Sequence, residues 1–128
     1  MRRVILNMKD RIFADAVANT LRADEQGEFY VVPPTTSEEA LEYGVTCDPY
    51  AVLMEVNGYP PYVLEERLKI RDAVKAADPD CKVVFIVDEN SEEEVAEQVR
   101  EVKKKGLIDQ FIYGSISADY FVALMDTL

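Results

Sequence analysis

The 128-residue chain is 48% hydrophobic and 30% charged, with a formal net charge of −11 and no histidine. That charge argues against direct nucleic-acid binding, which draws its affinity from a basic surface, and against an anionic membrane surface. The missing histidine removes histidine triads, histidine metal sites and phosphohistidine chemistry, and no apolar run reaches the roughly 18 residues of a membrane span.

The length suits a single domain over residues 1–128. The opening "MRRVILNMKD" is basic and then apolar, but the apolar part is short and lacks a small-residue cleavage site. It reads as a first strand (3–8), not a signal peptide. A helix follows, with Phe13, Ala16, Val17, Thr20 and Leu21 on one face. "FYVV" (29–32) is a second strand, and "TTSEEALEY" opens a short helix in which Thr36 and Glu39 have capping-box spacing. "YAVLM" (50–54) is a third strand, ending at Glu55. Val63, Ile70, Ala73, Val74 and Ala77 stripe the next helix. "KVVFIV" (82–87) is a fourth strand. The helix after it carries Val95, Val99 and Val102, opened by Ser91-x-x-Glu94 and closed by Gly106, with acids first and lysines last, as the helix dipole favours. "QFIY" (110–113) is a fifth strand, and Phe121, Leu124, Met125 and Leu128 stripe a last helix capped by Ser117. The distant Cys47 and Cys81 read as reduced thiols of a cytoplasmic protein.

Strands that are apolar without alternation suit burial on both faces. A βα alternation repeated five times, with right-handed crossovers, implies an α/β three-layer sandwich with a parallel sheet in the order 2-1-3-4-5. Ligands bind such sheets at the carboxyl ends of the strands. The residues expected there are Asn7, Met8, Lys9 and Asp10; Glu55, Val56 and Asn57; Val87, Asp88 and Glu89; and Gly114 and Ser115. "NMKDR" contains no glycine, which argues against a dinucleotide or phosphate loop after the first strand.

Three stretches resemble the receiver domain of two-component response regulators, a flavodoxin-like fold. "DPYAVLMEVN" is similar to the family's Pro-Asp-Leu-Val-Leu-Leu-Asp segment, with Pro49 on the proline and Glu55 on the phospho-acceptor position. "ADPDCKVVFIV" resembles its fourth-strand approach. "GLIDQFIYGS" resembles its Gly-Ala-Asp-Gly-Tyr-Leu-Leu-Lys-Pro segment with one extra residue, placing Phe111 on the switch aromatic. The departures lie at the chemistry. Receivers hold Mg²⁺ with two acids after the first strand; here Asn7 to Lys9 stand there and Asp10 is the sole acid nearby. Val87 replaces the fourth strand's Thr/Ser, and Gly114 and Ser115 replace the fifth strand's lysine and its proline.

The resemblance therefore implies a pseudo-receiver: a non-enzymatic interaction module with no cofactor or metal, in which Glu55 directs its charge outward as a permanent mimic of the activated state. Lys9 is expected beside Glu55. A plain solvated carboxylate, a true phospho-acceptor, and a metal site shared with Asp10, Asp88 and Glu89 remain alternatives for Glu55. A phosphorylatable atypical receiver and a small flavodoxin-like ligand-binding domain remain alternatives for the whole. Partners are expected to be a signalling protein or a second copy, engaged through the helix 4–strand 5–helix 5 face, with Phe111 and Tyr113 expected on opposite faces of their strand. "NGYPPY" either shapes its loop or forms a partner-binding lip. The last helix ends where a receiver normally stops, which leaves two expectations open: an output domain following in a longer protein, or a stand-alone domain.

Overall fold

The computed structural model describes residues 1–34 and 36–128. Its elements are β1 (Arg2–Asn7), α1 (Arg11–Ala23), β2 (Phe29–Val32), α2 (Ser37–Thr46), β3 (Ala51–Glu55), α3 (Leu64–Ala77), β4 (Lys82–Val87), α4 (Glu93–Lys104), β5 (Gln110–Tyr113) and α5 (Ala118–Asp126). All neighbouring strands pair in parallel, in the order β2-β1-β3-β4-β5. The expected three-layer α/β architecture is the observed one.

Successive side chains of a strand point to opposite faces, and the core divides accordingly. Val4, Leu6, Leu53, Val84, Ile86 and Ile112 pack under α1 and α5. Ile5, Val52, Met54, Val83, Phe85 and Val87 pack under α2, α3 and α4. This two-sided burial is why the strands read as unbroken apolar runs. It also corrects one expectation: Phe111 and Tyr113, two apart, share a face and touch edge to face at 5.6 Å. Cys81 lies in the second core, where burial pushes its thiol up to about 12.

Several helix ends follow local chemistry. Ser117 Oγ accepts from the Tyr120 N–H, and Thr36 Oγ1 from that of Glu39. Gly106, at φ +77°, closes α4: its N–H donates to Lys103 and the Leu107 N–H to Val102, the paired bonds of a Schellman end. Ser91 does not cap α4. Glu92 stands at the N-cap position, without a side-chain cap, and the Ser91 hydroxyl donates to Asp88 instead. The buried stripe of α1 is Val17, Ala18 and Leu21; Ala16 and Thr20 lie to its side, because the helix leans on β1 and β2 through the 14-17-18-21 ridge. Ala77 is exposed, and the buried stripe of α3 includes an unforeseen member, Arg67. No helix among the described residues is long and apolar enough to cross a membrane.

Candidate functional site

The carboxyl ends of β1, β3, β4 and β5 surround an open pocket of about 430 Å³, walled by Met8, Phe13, Ile86 and Val87 and edged by Asp10, Glu55, Asp88, Asn90, Gly114 and Ser115. The parallel register produces this convergence: Asn7 pairs with Met54, Glu55 with Ile86 and Val87 with Tyr113, so all four chains leave the sheet at one level.

Glu55 does not project its carboxylate outward. Oε1 accepts from the Lys9 N–H at 2.9 Å and lies 3.5 Å from the Asp10 nitrogen, while Oε2 accepts from Asn57 Nδ2 at 2.9 Å. Its longer side chain reaches back across the sheet end and joins the β1–α1 loop to the β3–α3 loop. Lys9 meets Glu55 through its backbone alone. Its ammonium stands 4.6 Å over the Tyr59 ring, a placement favoured by the ring's quadrupole. Asn57 also accepts from the Tyr59 N–H at 2.8 Å, and the Asn57 N–H donates to Tyr62 O, so "NGYPPY" is a folded lip wired to Glu55.

Beneath this corner lies Arg67, fully buried. Its Nε donates to Glu55 O at 2.8 Å, one terminal nitrogen to Asn7 O at 3.3 Å and the other to Ser37 Oγ at 3.5 Å, with Tyr62 stacked 4.9 Å from the guanidinium. Burial pulls its pKa down to about 10, against the opposing pull of Tyr62 and Glu55. It remains a cation at neutral pH, held chiefly by carbonyl oxygens. Arg67 is the part of the site that the sequence reading missed; Asn57 was expected at the strand ends, but not as the donor to Glu55. The spacing 63-67-70-74 places Arg67 on the apolar stripe and is the one sequence signal for its burial.

The remaining positions are quieter. Asn7 is buried, its amide donating to Pro34 O while its Oδ1 has no partner among the described residues; Met8 belongs to the core. Asp10 caps α1, accepting from the Phe13 N–H at 3.1 Å. Val87 is buried and presents no donor. Gly114 rests against the Phe13 ring, and Ser115 donates to Glu89 Oε1 at 2.6 Å. Asp88 closes the turn after β4; the Ser91 hydroxyl, with the Asn90 and Ser91 N–H groups, holds its carboxyl below the usual range. No three Asp, Glu or Cys side chains among the described residues gather closely enough to hold a metal ion.

No family model and no curated protein matches this sequence. Solved structures do. A redox sensor of the streptococci, from a family evolved from two-component response regulators, aligns at TM-score 0.77 and 17% identity over 99% of this chain and 50% of its own. The regulatory domain of the repressor of iron transport regulator, in its inactive form, aligns at 0.76 and 16%, covering 99% and 94% of the two chains. The receiver domain of NarL from Mycobacterium tuberculosis aligns at 0.72 and 19%, covering 98% and 94%. The fold is that of response-regulator receiver domains. The chain spans half the length of the streptococcal sensor.

Proposed function

We propose that this chain is a receiver-type signalling module that works by surface recognition, without phosphoryl transfer, catalysis or a bound metal. The observation that carries the reading is the state of Glu55: its carboxylate is already engaged by Lys9, Asp10 and Asn57. Phosphoryl transfer needs a free acceptor oxygen and a cation to neutralise developing charge. Asp10 is spent on a helix cap, Val87 has no hydroxyl and Gly114 no ammonium. A streptococcal family of redox sensors that evolved from response regulators supports the idea that this fold serves other signals. A signalling protein or a second copy is the expected partner, in the cytoplasm, through α4, β5 and α5. In a twofold pair the early Glu93 and Glu94 of α4 would face the late Lys103 and Lys104 of the other copy.

Intact-mass measurement after acetyl phosphate and Mg²⁺ treatment tests the reading. The expected mass is unchanged; an acid-labile gain of one phosphoryl group on Glu55 or Asp10 overturns it.

A further inference from the structure

We propose that the open edge of β2 is a pairing site for β2 of a second copy of this chain, antiparallel and related by a twofold axis at Tyr30. The inference goes beyond the reading above. β2 and β5 are opposite edges of the sheet, so a pair made at β2 leaves α4, β5 and α5 open to a signalling protein.

The register of β1 on β2 decides which backbone groups the edge presents. Arg2 pairs with Phe29, and the Arg2 N–H donates to Glu28 O. Successive residues of a strand turn their N–H and C=O groups to opposite sides, so Tyr30 and Val32 address β1 while Phe29 and Val31 address the open edge. Val31 O agrees: it accepts from an Arg22 guanidinium nitrogen at 3.4 Å. Among the described residues nothing else meets the outward groups of Phe29 and Val31. Such a row is a template for another strand unless lysine, proline or a covering element blunts it. Phe29–Val32 contains neither lysine nor proline.

The ends of the row select one register. Glu28 is left-handed, at φ +51°, and Pro33 has no N–H, which confines pairing to residues 29–32. With Tyr30 opposite Tyr30 of the second copy, Phe29 of each copy exchanges hydrogen bonds with Val31 of the other. Val31 O has two lone pairs and can keep Arg22 as well. Tyr30 is 51% exposed and becomes the closely spaced, non-hydrogen-bonded pair at the centre. Centring on Val31 instead sets Arg22 against Arg22 and offers Phe29 to Pro33. Centring on Phe29 runs Val31 past the left-handed Glu28.

The charges favour the same register. Arg22 and Glu28 are both exposed, and among the described residues neither has an ionic partner. In the pair, Glu28 of one copy lies opposite Val32 of the other, next to the carbonyl that Arg22 holds. Within its own chain Glu28 is farther along the strand from that carbonyl. An unpaired cation and an unpaired anion that meet across a twofold axis make the patch self-complementary.

Sedimentation of the full chain should show a monomer–dimer equilibrium. Arg22→Glu or Glu28→Lys alone should weaken it about ten-fold, and the two together should restore it. Glu28→Lys reduces the net negative charge, so weakening by that variant is not general repulsion. Tyr30→Lys, a lysine on the edge, should abolish pairing. All three side chains are exposed, and unchanged circular dichroism checks that the variants fold. In a Cys47→Ser background, Tyr30→Cys should cross-link to its own copy in air, because a non-hydrogen-bonded antiparallel pair sets two Cα atoms at disulfide distance. A monomer up to the solubility limit, or a charge exchange that fails to restore the dimer, would overturn the proposal. So would a dimer that survives Tyr30→Lys and is lost with Lys103→Glu and Lys104→Glu, which assigns pairing to α4.

Discussion

The two halves of the site differ in kind. On the β1–β3 side, Glu55, Asn57, Lys9, Tyr59, Tyr62 and Arg67 form a closed set of hydrogen bonds and ring contacts in which one side chain serves several segments. On the β4–β5 side, Val87 and Gly114 offer no polar side chain, and Asp88 serves only its own turn. A receiver that switches must couple these halves through a group that both contact. Here the β1–β3 half is fastened to itself, while the β4–β5 half, bare at Val87 and Gly114, holds the Asp88 turn and the Ser115–Glu89 bond.

The comparison breaks most readily at Arg67. Arg67→Met fills the same space but leaves the Glu55 and Asn7 carbonyls without their donors, and should cost about 2–4 kcal/mol of stability in urea unfolding. A cost near zero would mean that the wired half is held by packing alone. Next is Val87→Thr, which puts a hydroxyl at a fully buried position and should cost about 1–2 kcal/mol. A neutral result would show that pocket water reaches the end of β4, so that the bare half is wet. Glu55→Gln should cost about 1 kcal/mol, the difference between charge-assisted and neutral hydrogen bonds at the two loops. Its sharper mark is faster hydrogen exchange at the Lys9 amide with β4 unaffected; exchange rising equally on both sides would erase the distinction between them.

The smallest effect lies at the far end of the sheet and serves as a control. Burial raises the carboxyl of Asp109, but Lys75 at 2.8 Å and the Val83 N–H more than offset this, leaving it below its usual value. A depressed folded value means the stabilisation is complete above the unfolded pKa, near about 3.9, and is lost as pH falls through the folded one. The pair is partly exposed, so the term is about 0.5 kcal/mol. Asp109→Asn should flatten the acid limb of stability by that amount and leave the Lys9 amide unmoved.

The sheet was legible because burial on two faces writes itself as apolar runs, and β2, β4 and β5 fall on the residues so marked. Gly106 and Ser117 were legible because turn and cap chemistry is local. Ser91 was not, since Asp88 competes for its hydroxyl from the same turn. The pose of Glu55 was hidden for a different reason. Its partners at Lys9 and Asp10 lie 46 and 45 positions away, and they donate through backbone N–H groups that carry no side-chain identity. Lys9 read as a charge partner because its side chain is basic, yet its amide makes the contact. Arg67 broke the pattern rule itself: a charged residue on an apolar stripe reads as a gap, unless the carbonyl ends of two strands are known to lie opposite it.

One buried atom makes the whole fold measurable. The thiol of Cys81 is sealed in the second core and held protonated well above neutrality, whereas Cys47 is only partly buried at the end of α2. The chain thus carries a fast thiol and a silent one. Under a chromogenic disulfide reagent Cys47 should react at once, and the lag before Cys81 follows is a clock for the opening of the layer beneath α3 and α4, readable without labels or a tryptophan.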